Sequence, residues 1–196
     1  MSFRGRIVIG ITGASGSIYG IRLLEVLSAC AGAEIHLVIT EAGKTTIGIE
    51  TSRPVSEVIR LAHFVHDDGD ISAPIASGSF QTSGMIISPC SMRSLGEIAH
   101  SLPGRLLTRA ADVHLKERRP LILMVRETPL HLGHLRNMVL AAESGAVILP
   151  PVPAFYHNPQ TVSDLIDHAV GKALDMLSIP HGLFRRWDGP PENPKA

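Results

Sequence analysis

The chain has 196 residues, of which 44% are hydrophobic and 18% charged, and its 18 Lys and Arg residues balance its 18 Asp and Glu residues. This length predicts one domain with one core, and the apolar content at zero net charge excludes a chain that is disordered throughout. Nucleic-acid binding is not expected, because there is no basic excess to neutralise phosphates. The two cysteines lack metal-ligand spacing, and glycines interrupt the apolar run near the amino terminus, so we expect a cytoplasmic protein without a membrane span.

Five short apolar runs, each bounded by turn-forming residues, predict strands that are buried on both faces of a parallel sheet. In chain order they cover residues 6–11, 34–39, 84–88, 120–125 and 146–149. Helical patterns cover residues 18–31, 132–142 and 161–177, the last with Thr161 as its cap. The alternation predicts a doubly wound, mostly parallel α/β sheet of the Rossmann-like type. This single domain would occupy residues 1–187, followed by a mobile, proline-rich tail over residues 188–196.

A glycine-rich turn follows the first predicted strand, with Gly10, Gly13 and Gly16 at three-residue spacing before a helix begins. Free amides and the helix dipole at such a turn favour a phosphate, and Ser15 adds a hydroxyl. The spacing does not match the GxGxxG pattern of dinucleotide sites, so one phosphate of a nucleoside or flavin monophosphate suits the turn better. The alternative is a tight turn whose glycines serve packing only.

A second candidate anion site follows the third predicted strand, which ends at Pro89. Ser91 and Ser94 then open a helix and provide two hydroxyls beside free amides. Taken alone, this pattern is equally compatible with an ordinary serine cap. Because neighbouring crossovers open at the same edge of a parallel sheet, the two turns together predict one polar ligand with several anchor points.

Four segments of the chain carry a resemblance that extends over about residues 6–187, nearly the whole sequence. They read GITGASGSIYGIRLLE, ASGSFQTSGMIISPCSM, TRAADVHLKERRPLILMVRETPLHLGHLRNM and GAVILPPVPAFYHNPQT. In this order they resemble the UbiX/Pad-type flavin prenyltransferases. The resemblance implies a flavoprotein-type fold and a metal-independent enzyme that joins a dimethylallyl group from dimethylallyl phosphate to N5 and C6 of reduced FMN. It also implies a homododecamer with active sites at subunit junctions, and a UbiD-type decarboxylase that receives the prenylated FMN.

The resemblance also implies a set of site residues. Those expected to bind FMN are Gly13, Ala14, Ser15, Thr40, Ser91, Met92, Arg93, Ser94 and Arg126. Those expected to bind dimethylallyl phosphate are Arg109, Lys116, Glu127, Tyr156 and Lys172. The expected catalytic residues are Ser15, Glu50, Lys116 and Glu127. Glu127 would donate a proton to the departing phosphate, and Glu50 would act through the Ser15 hydroxyl when the flavin loses a proton.

Several features limit or qualify this interpretation. His131 and His134 are one helical turn apart without an evident third ligand, and HDDGDI lacks the last aspartate of a magnesium-binding DDxxD motif, so no metal is expected. The turn formed by residues 103–105 departs from the polar turn that is usual in the family. Ile47, Ile49 and Phe155 lack an obvious partner within the chain and predict a subunit interface.

Two other functions compete with prenyl transfer. An FMN carrier or chaperone would keep the crevice but would need few of the charged residues, and these are all present. Direct decarboxylation is less favoured, because no group of residues indicates a pocket for a carboxylate substrate. The donor stays open between dimethylallyl monophosphate and diphosphate, and the decarboxylase served could belong to ubiquinone synthesis or to aromatic-acid breakdown.

Overall fold

A six-stranded parallel sheet forms the centre of the computed structural model, which describes residues 3–187 and 189. Its strands are β1 (Gly5–Ile11), β2 (Ala33–Ile39), β3 (Phe64–His66), β4 (Gly84–Cys90), β5 (Leu121–Val125) and β6 (Val147–Ile148). Their spatial order is β3-β2-β1-β4-β5-β6, and all five pairings are parallel. This confirms the predicted doubly wound α/β class. The predicted tail, apart from residue 189, lies outside the described residues.

Helices cover both faces of the sheet. They are α1 (Ser17–Ser28), α2 (Glu41–Glu50), α3 (Val55–Ile59), α4 (Met92–Ala99), α5 (Leu106–Lys116), α6 (Leu132–Glu143) and α7 (Val162–Met176). Alternate side chains of β1 point to opposite faces of the sheet. Ile7 and Ile9 belong to the core formed with α1, α2, α3 and α7, whereas Val8 belongs to the core formed with α4, α5 and α6. All three side chains are fully buried, which explains why the strands read as unbroken apolar runs.

The five predicted strands are present, and β3 is the one that the sequence did not indicate. It has three residues and lies at the edge of the sheet, where Phe64 and Val65 are half exposed. Backbone pairing with β2 and a 2.9 Å hydrogen bond between His36 Nδ1 and His66 Nε2 hold it in place. A strand this short and this exposed produces no hydrophobic pattern that could be recognised in the sequence.

Two expectations about helices can be compared directly with the structure. The predicted start of the last helix is confirmed: the Thr161 hydroxyl accepts the Asp164 amide at 3.2 Å, and the Asp164 carboxylate accepts the Thr161 amide at 2.9 Å. The expectation that Ile47 lacks a partner within the chain is wrong, because Ile47 is fully buried in the core beside α1. Ile49 and Phe155 are 79% and 71% exposed, as expected of interface candidates.

The strand order reverses between β1 and β4. From β1 the chain moves through β2 to β3 on one side, and it then returns to β4 on the other side. The connections that follow β1 and β4 therefore lead to opposite sides of the sheet and leave a crevice outside the carboxyl ends of these strands, which is where ligands bind in open α/β sheets. Among the described residues, no helix has the length and apolarity required to cross a membrane.

Candidate active site

A cleft of about 360 Å³ opens at this switch point. Five of the residues expected to bind FMN line it, namely Gly13, Thr40, Ser91, Arg93 and Ser94. They come from the segments that follow β1, β2 and β4, including the first turn of α4, so that the fold brings together residues about 80 positions apart. A larger but shallow depression of about 510 Å³ lies at the opposite edge of the sheet, around Arg6 and Glu34, and contains none of the expected site residues.

Two helices begin at the cleft with side-chain caps. The Thr40 hydroxyl accepts the Gly43 amide of α2 at 3.0 Å, and the Ser91 hydroxyl accepts the Ser94 amide of α4 at 3.2 Å. The remaining amides of each first turn have no partner within the helix, and the helix dipole places partial positive charge there. Two converging amino-terminal ends make this cleft suitable for a phosphate.

Thr12 ties the loops after β1 and β4 together. Its hydroxyl donates to the Pro89 carbonyl at 2.6 Å and accepts the Ser91 amide at 2.9 Å. On the other side of the turn, α2 packs directly against Gly13, where a Cβ atom would lie 2.5 Å from the Ala42 Cβ. The glycine is required because the helix that carries the Thr40 cap approaches the turn so closely.

Part of the start of α1 is occupied by an anion of the protein itself. The Glu50 carboxylate, at the end of α2, accepts the amides of Gly16 and Ser17 at 2.9 and 3.0 Å, and also the Ser17 hydroxyl at 2.9 Å. These donors are therefore already paired with an anion of the protein itself. Gly16 adopts a left-handed conformation, with φ of 99°, which turns the chain into α1 beside this carboxylate. The candidate phosphate positions are the amino-terminal ends of α2 and α4.

Glu50 also lies within hydrogen-bonding reach of Ser15, as the resemblance implied. Burial would raise the pKa of Glu50, but hydrogen bonds from the Ser15 hydroxyl, from the amide and hydroxyl of Ser17 and from the Gly16 amide hold the pKa below its ordinary value. Glu50 is therefore an anion at neutral pH. An anionic carboxylate joined to a serine hydroxyl can accept a proton that passes through the hydroxyl.

Arg126 and Glu127 follow β5 at the same edge of the sheet. Arg126 Nε donates to the Ser15 carbonyl at 3.0 Å, which fixes the guanidinium against the glycine turn. The Arg126 amide donates to the Cys90 carbonyl at 3.1 Å, and this bond aligns the loops after β4 and β5. Glu127 is exposed and accepts the Thr128 amide at 3.0 Å. The structure thus brings Arg126 to Ser15 and places Glu127 next to it along the chain.

Lys116, by contrast, does not lie at the cleft within one chain. It occupies the carboxyl end of α5, whereas Arg105 and Thr108, at the start of α5, line the cleft. Ten residues of helix separate the two ends by about 15 Å. Lys116 is paired with Glu117 beside Gly78. Within one chain, Lys116 therefore lies away from the cleft, whereas Glu127 follows β5 at the carboxyl edge of the sheet.

The other residues expected to bind the prenyl phosphate form separate groups. Arg109 Nη1 lies 3.0 Å from the Asp112 carboxylate on the same helix. Tyr156, in the proline-rich loop after β6, is hydrogen bonded to His168 of α7, and Lys172 lies on the same helix near that histidine. The Arg109 amide donates to the carbonyl of Arg105, which lines the cleft, at 2.8 Å, whereas Tyr156 and Lys172 are not among the residues that line it.

The cleft also contains residues that the sequence did not assign to it. Arg105 lines it beside Thr108, and it belongs to the turn that departs from the family pattern. Asp68 lines it as well, and its carboxylate accepts the Leu107 amide of α5 at 3.0 Å. Within the acidic stretch of residues 66–71, Asp68 thus caps the start of α5. Within the described part of the chain, no group of three or more His, Cys, Asp or Glu side chains is placed to hold a metal ion.

Comparisons with known proteins agree with this geometry. The model of the Flavoprotein family matches residues 2–179. The chain is 58% identical to the flavin prenyltransferase UbiX of Escherichia coli strain K12 over 186 residues, which cover 94% of this chain and 98% of that protein. It superposes on the crystal structure of AnUbiX (PadA1) in complex with FMN and dimethylallyl pyrophosphate with a TM-score of 0.93, at 47% identity and covering 95% and 99% of the two chains.

A second solved structure is also similar, and it comes from Escherichia coli O157:H7. It is described as a dodecameric FMN-dependent UbiX-like decarboxylase, with a TM-score of 0.92 and 44% identity. The similarity covers 94% of this chain and all of that one.

Proposed function

This chain belongs to the UbiX-type flavin prenyltransferases of the flavoprotein family, and we propose that it transfers a dimethylallyl group from dimethylallyl phosphate to N5 and C6 of reduced FMN. The observation that carries the proposal is the switch-point cleft, where two capped helix ends lie beside the glycine turn that holds the anionic Glu50 and Ser15. The capped helix ends suit a phosphomonoester, and the pair of Glu50 and Ser15 suits proton transfer.

The residues of the cleft fit FMN. A flavin mononucleotide carries one phosphate and a chain of hydroxyls, and the cleft offers the hydroxyls of Thr40, Ser91 and Ser94 with the guanidinium of Arg93. We propose that the starts of α2 and α4 hold the phosphate and that Arg126, fixed to the Ser15 carbonyl, contacts the flavin ring. Reduced FMN, when bound, supplies the two nucleophilic ring positions. The protein supplies binding, orientation and proton transfer.

Glu50 and Ser15 would remove the proton that the ring loses when the bond to C6 forms. The Glu50 carboxylate is anionic at neutral pH and can accept a proton, and the neighbouring Ser15 hydroxyl would provide a short path. Glu127 would act in the opposite direction and donate a proton to the departing phosphate. Its exposure in a single chain leaves it free to meet a substrate.

The residues that the resemblance implies for the prenyl phosphate lie in separate groups within one chain. We propose that Arg109, Lys116, Tyr156 and Lys172 complete the site across subunit boundaries of a homo-oligomer. The exposure of Ile49 and Phe155 is consistent with such contacts, and the Escherichia coli O157:H7 relative is a dodecamer. Delivery of the prenylated FMN to a UbiD-type decarboxylase and a cytoplasmic location stay predictions.

The decisive experiment is anaerobic incubation with reduced FMN and dimethylallyl phosphate, followed by mass spectrometry of the extracted flavin. We expect a flavin that is heavier by one five-carbon prenyl unit. Glu50→Gln serves as the matched variant, because it keeps the size of the side chain while removing the base; we expect it to accumulate flavin joined at one position without ring closure. A protein that binds FMN tightly but returns it unchanged would support an FMN carrier instead.

A further inference from the structure

Aromatic and imidazole rings form a cluster around the middle of α7. His168, on this helix, is 6% exposed, and its Nε2 lies 2.8 Å from the Tyr156 hydroxyl. The His157 ring stacks on the His168 ring with centroids 4.6 Å apart and an angle of 7° between the planes. The Phe184 ring lies 4.7 Å from it. Packing on several sides therefore fixes the orientation of the His168 ring.

Tyr156 is the half-exposed member of this cluster. It is 54% exposed, and it meets the His168 ring edge-to-face at 5.4 Å. A phenol has one hydrogen to donate and can also accept hydrogen bonds. The bond with His168 uses one of these capacities and holds the hydroxyl in place, whereas the exposed side of Tyr156 leaves the others available to a ligand.

The direction of the bond between Tyr156 and His168 decides what the hydroxyl can offer. Phosphate oxygens without protons only accept hydrogen bonds, so Tyr156 contributes to phosphate binding only if its own proton is free. Burial lowers the pKa of His168, as do the nearby His157 and Lys172, against the opposing effect of Asp175. The imidazole is therefore neutral at neutral pH, and one nitrogen carries the proton. With the proton on Nε2 the histidine donates to Tyr156; with the proton on Nδ1 it accepts from Tyr156.

We propose that His168 is a positioning residue that donates its Nε2 hydrogen to the Tyr156 hydroxyl and thereby directs the hydroxyl proton toward the phosphate of the prenyl donor. The inference rests on the proposed function, in which Tyr156 and Lys172 bind that phosphate. The ionisable groups that face His168 are Tyr156 and His157 from the preceding loop, and Lys172 and Asp175 from α7. An arriving phosphate anion favours this tautomer, because it attracts the tyrosine proton.

A double-mutant cycle tests whether His168 acts through Tyr156. The four proteins are the wild type, Tyr156→Phe, His168→Phe and the double variant. Two quantities are measured: the KM for dimethylallyl phosphate at saturating reduced FMN, and the calorimetric affinity of the FMN-loaded protein for inorganic phosphate. We expect each single variant to raise the KM and to lower the affinity for phosphate by about tenfold, which is the effect of one oriented hydrogen bond. The double variant should bind no more weakly than Tyr156→Phe. The affinity for FMN should not change.

Two further variants separate positioning from packing. His168→Gln can place an amide N–H donor where Nε2 lies, and we expect it to restore both values. His66→Phe removes a 2.9 Å imidazole hydrogen bond on β3, at the other edge of the sheet, and should leave both values as in the wild type. The inference is wrong if the effects of the two single variants multiply in the double variant. It is also wrong if His168→Gln binds phosphate and the prenyl donor as weakly as His168→Phe. A wild type that binds phosphate in the expected coupled way but makes no prenylated FMN would refute the proposed function alone.

Discussion

Replacement of Glu50 by Gln should lower the stability of the protein as well as its activity. The Glu50 carboxylate accepts two backbone amides and one hydroxyl at the start of α1 and thus caps a helix that lies at the centre of the core. The glutamine keeps one acceptor oxygen but loses the charge and directs an amide group at the same donors. Loss of a helix cap of this kind costs about 1 kcal/mol. For a domain of this size, that corresponds to a decrease in Tm of about 2–4 °C.

The effect of the substitution should depend on pH in a definite direction. The folded protein holds the pKa of Glu50 below its ordinary value of 4.5, so the folded state binds the proton less readily than the unfolded state. The stabilisation is then fully present above pH 4.5 and is lost as the pH falls through the lower pKa of the folded state. The difference in Tm between the wild type and Glu50→Gln should therefore be largest at neutral pH and smaller in acid.

Thermal unfolding of both proteins, followed by circular dichroism at equal concentrations and at several pH values, measures this difference. Glu143→Gln is the control, because Glu143 is an exposed glutamate at the carboxyl end of α6, where the helix dipole does not favour a negative charge. We expect this control to lose no stability. Equal Tm values for the wild type and Glu50→Gln at neutral pH would show that the carboxylate does not stabilise α1.

Three further predictions follow from the site. Glu127→Gln should retain FMN binding but slow prenyl transfer by about 10²–10⁴-fold, as expected for a lost general acid; a wild-type rate in stopped-flow flavin absorbance would exclude Glu127 as the acid. Gly13→Ala should weaken FMN binding, because its methyl group would lie 2.5 Å from the Ala42 Cβ and displace α2; fluorescence titration with FMN measures this, and an unchanged Kd would contradict it. Dilution that dissociates the oligomer should abolish transfer, which light scattering with parallel turnover measurements can test; an active monomer would refute the shared site.

The sequence predicted those parts of the molecule that depend on local patterns. Five strands were recognisable because parallel strands bury most of their residues on both faces, and the cap of α7 was recognisable because Thr161 and Asp164 have capping-box spacing. The pairing of Glu50 with Ser15 came from the family resemblance alone. Its second contact, with the amides of α1, depends on how α2 packs against the glycine turn, and no residue pattern records that packing.

The position of Lys116 away from the cleft has a different physical cause. Its distance from the cleft follows from the direction of α5, which begins at the carboxyl edge of the sheet and carries Lys116 to the other end. A motif shared with a family states that a residue belongs to a site, but it does not state which copy of the chain supplies that residue. Lys116 belongs to a motif of the site, but α5 carries it away from the cleft of its own chain. This combination favours a second chain as the source of the residue.

The two substrates thus depend on different levels of structure. The FMN cleft is built from loops of one chain, with Thr12 joining the turns after β1 and β4 and α2 packed on Gly13. The groups expected to hold the prenyl phosphate are divided among α5, the loop of Tyr156 and α7, and in our proposal subunit contacts bring them together. Dissociation of the oligomer should then separate the two functions, with FMN binding retained and transfer lost. Such an arrangement would protect the reaction, because the allylic phosphate could be cleaved only where a complete, assembled site is present.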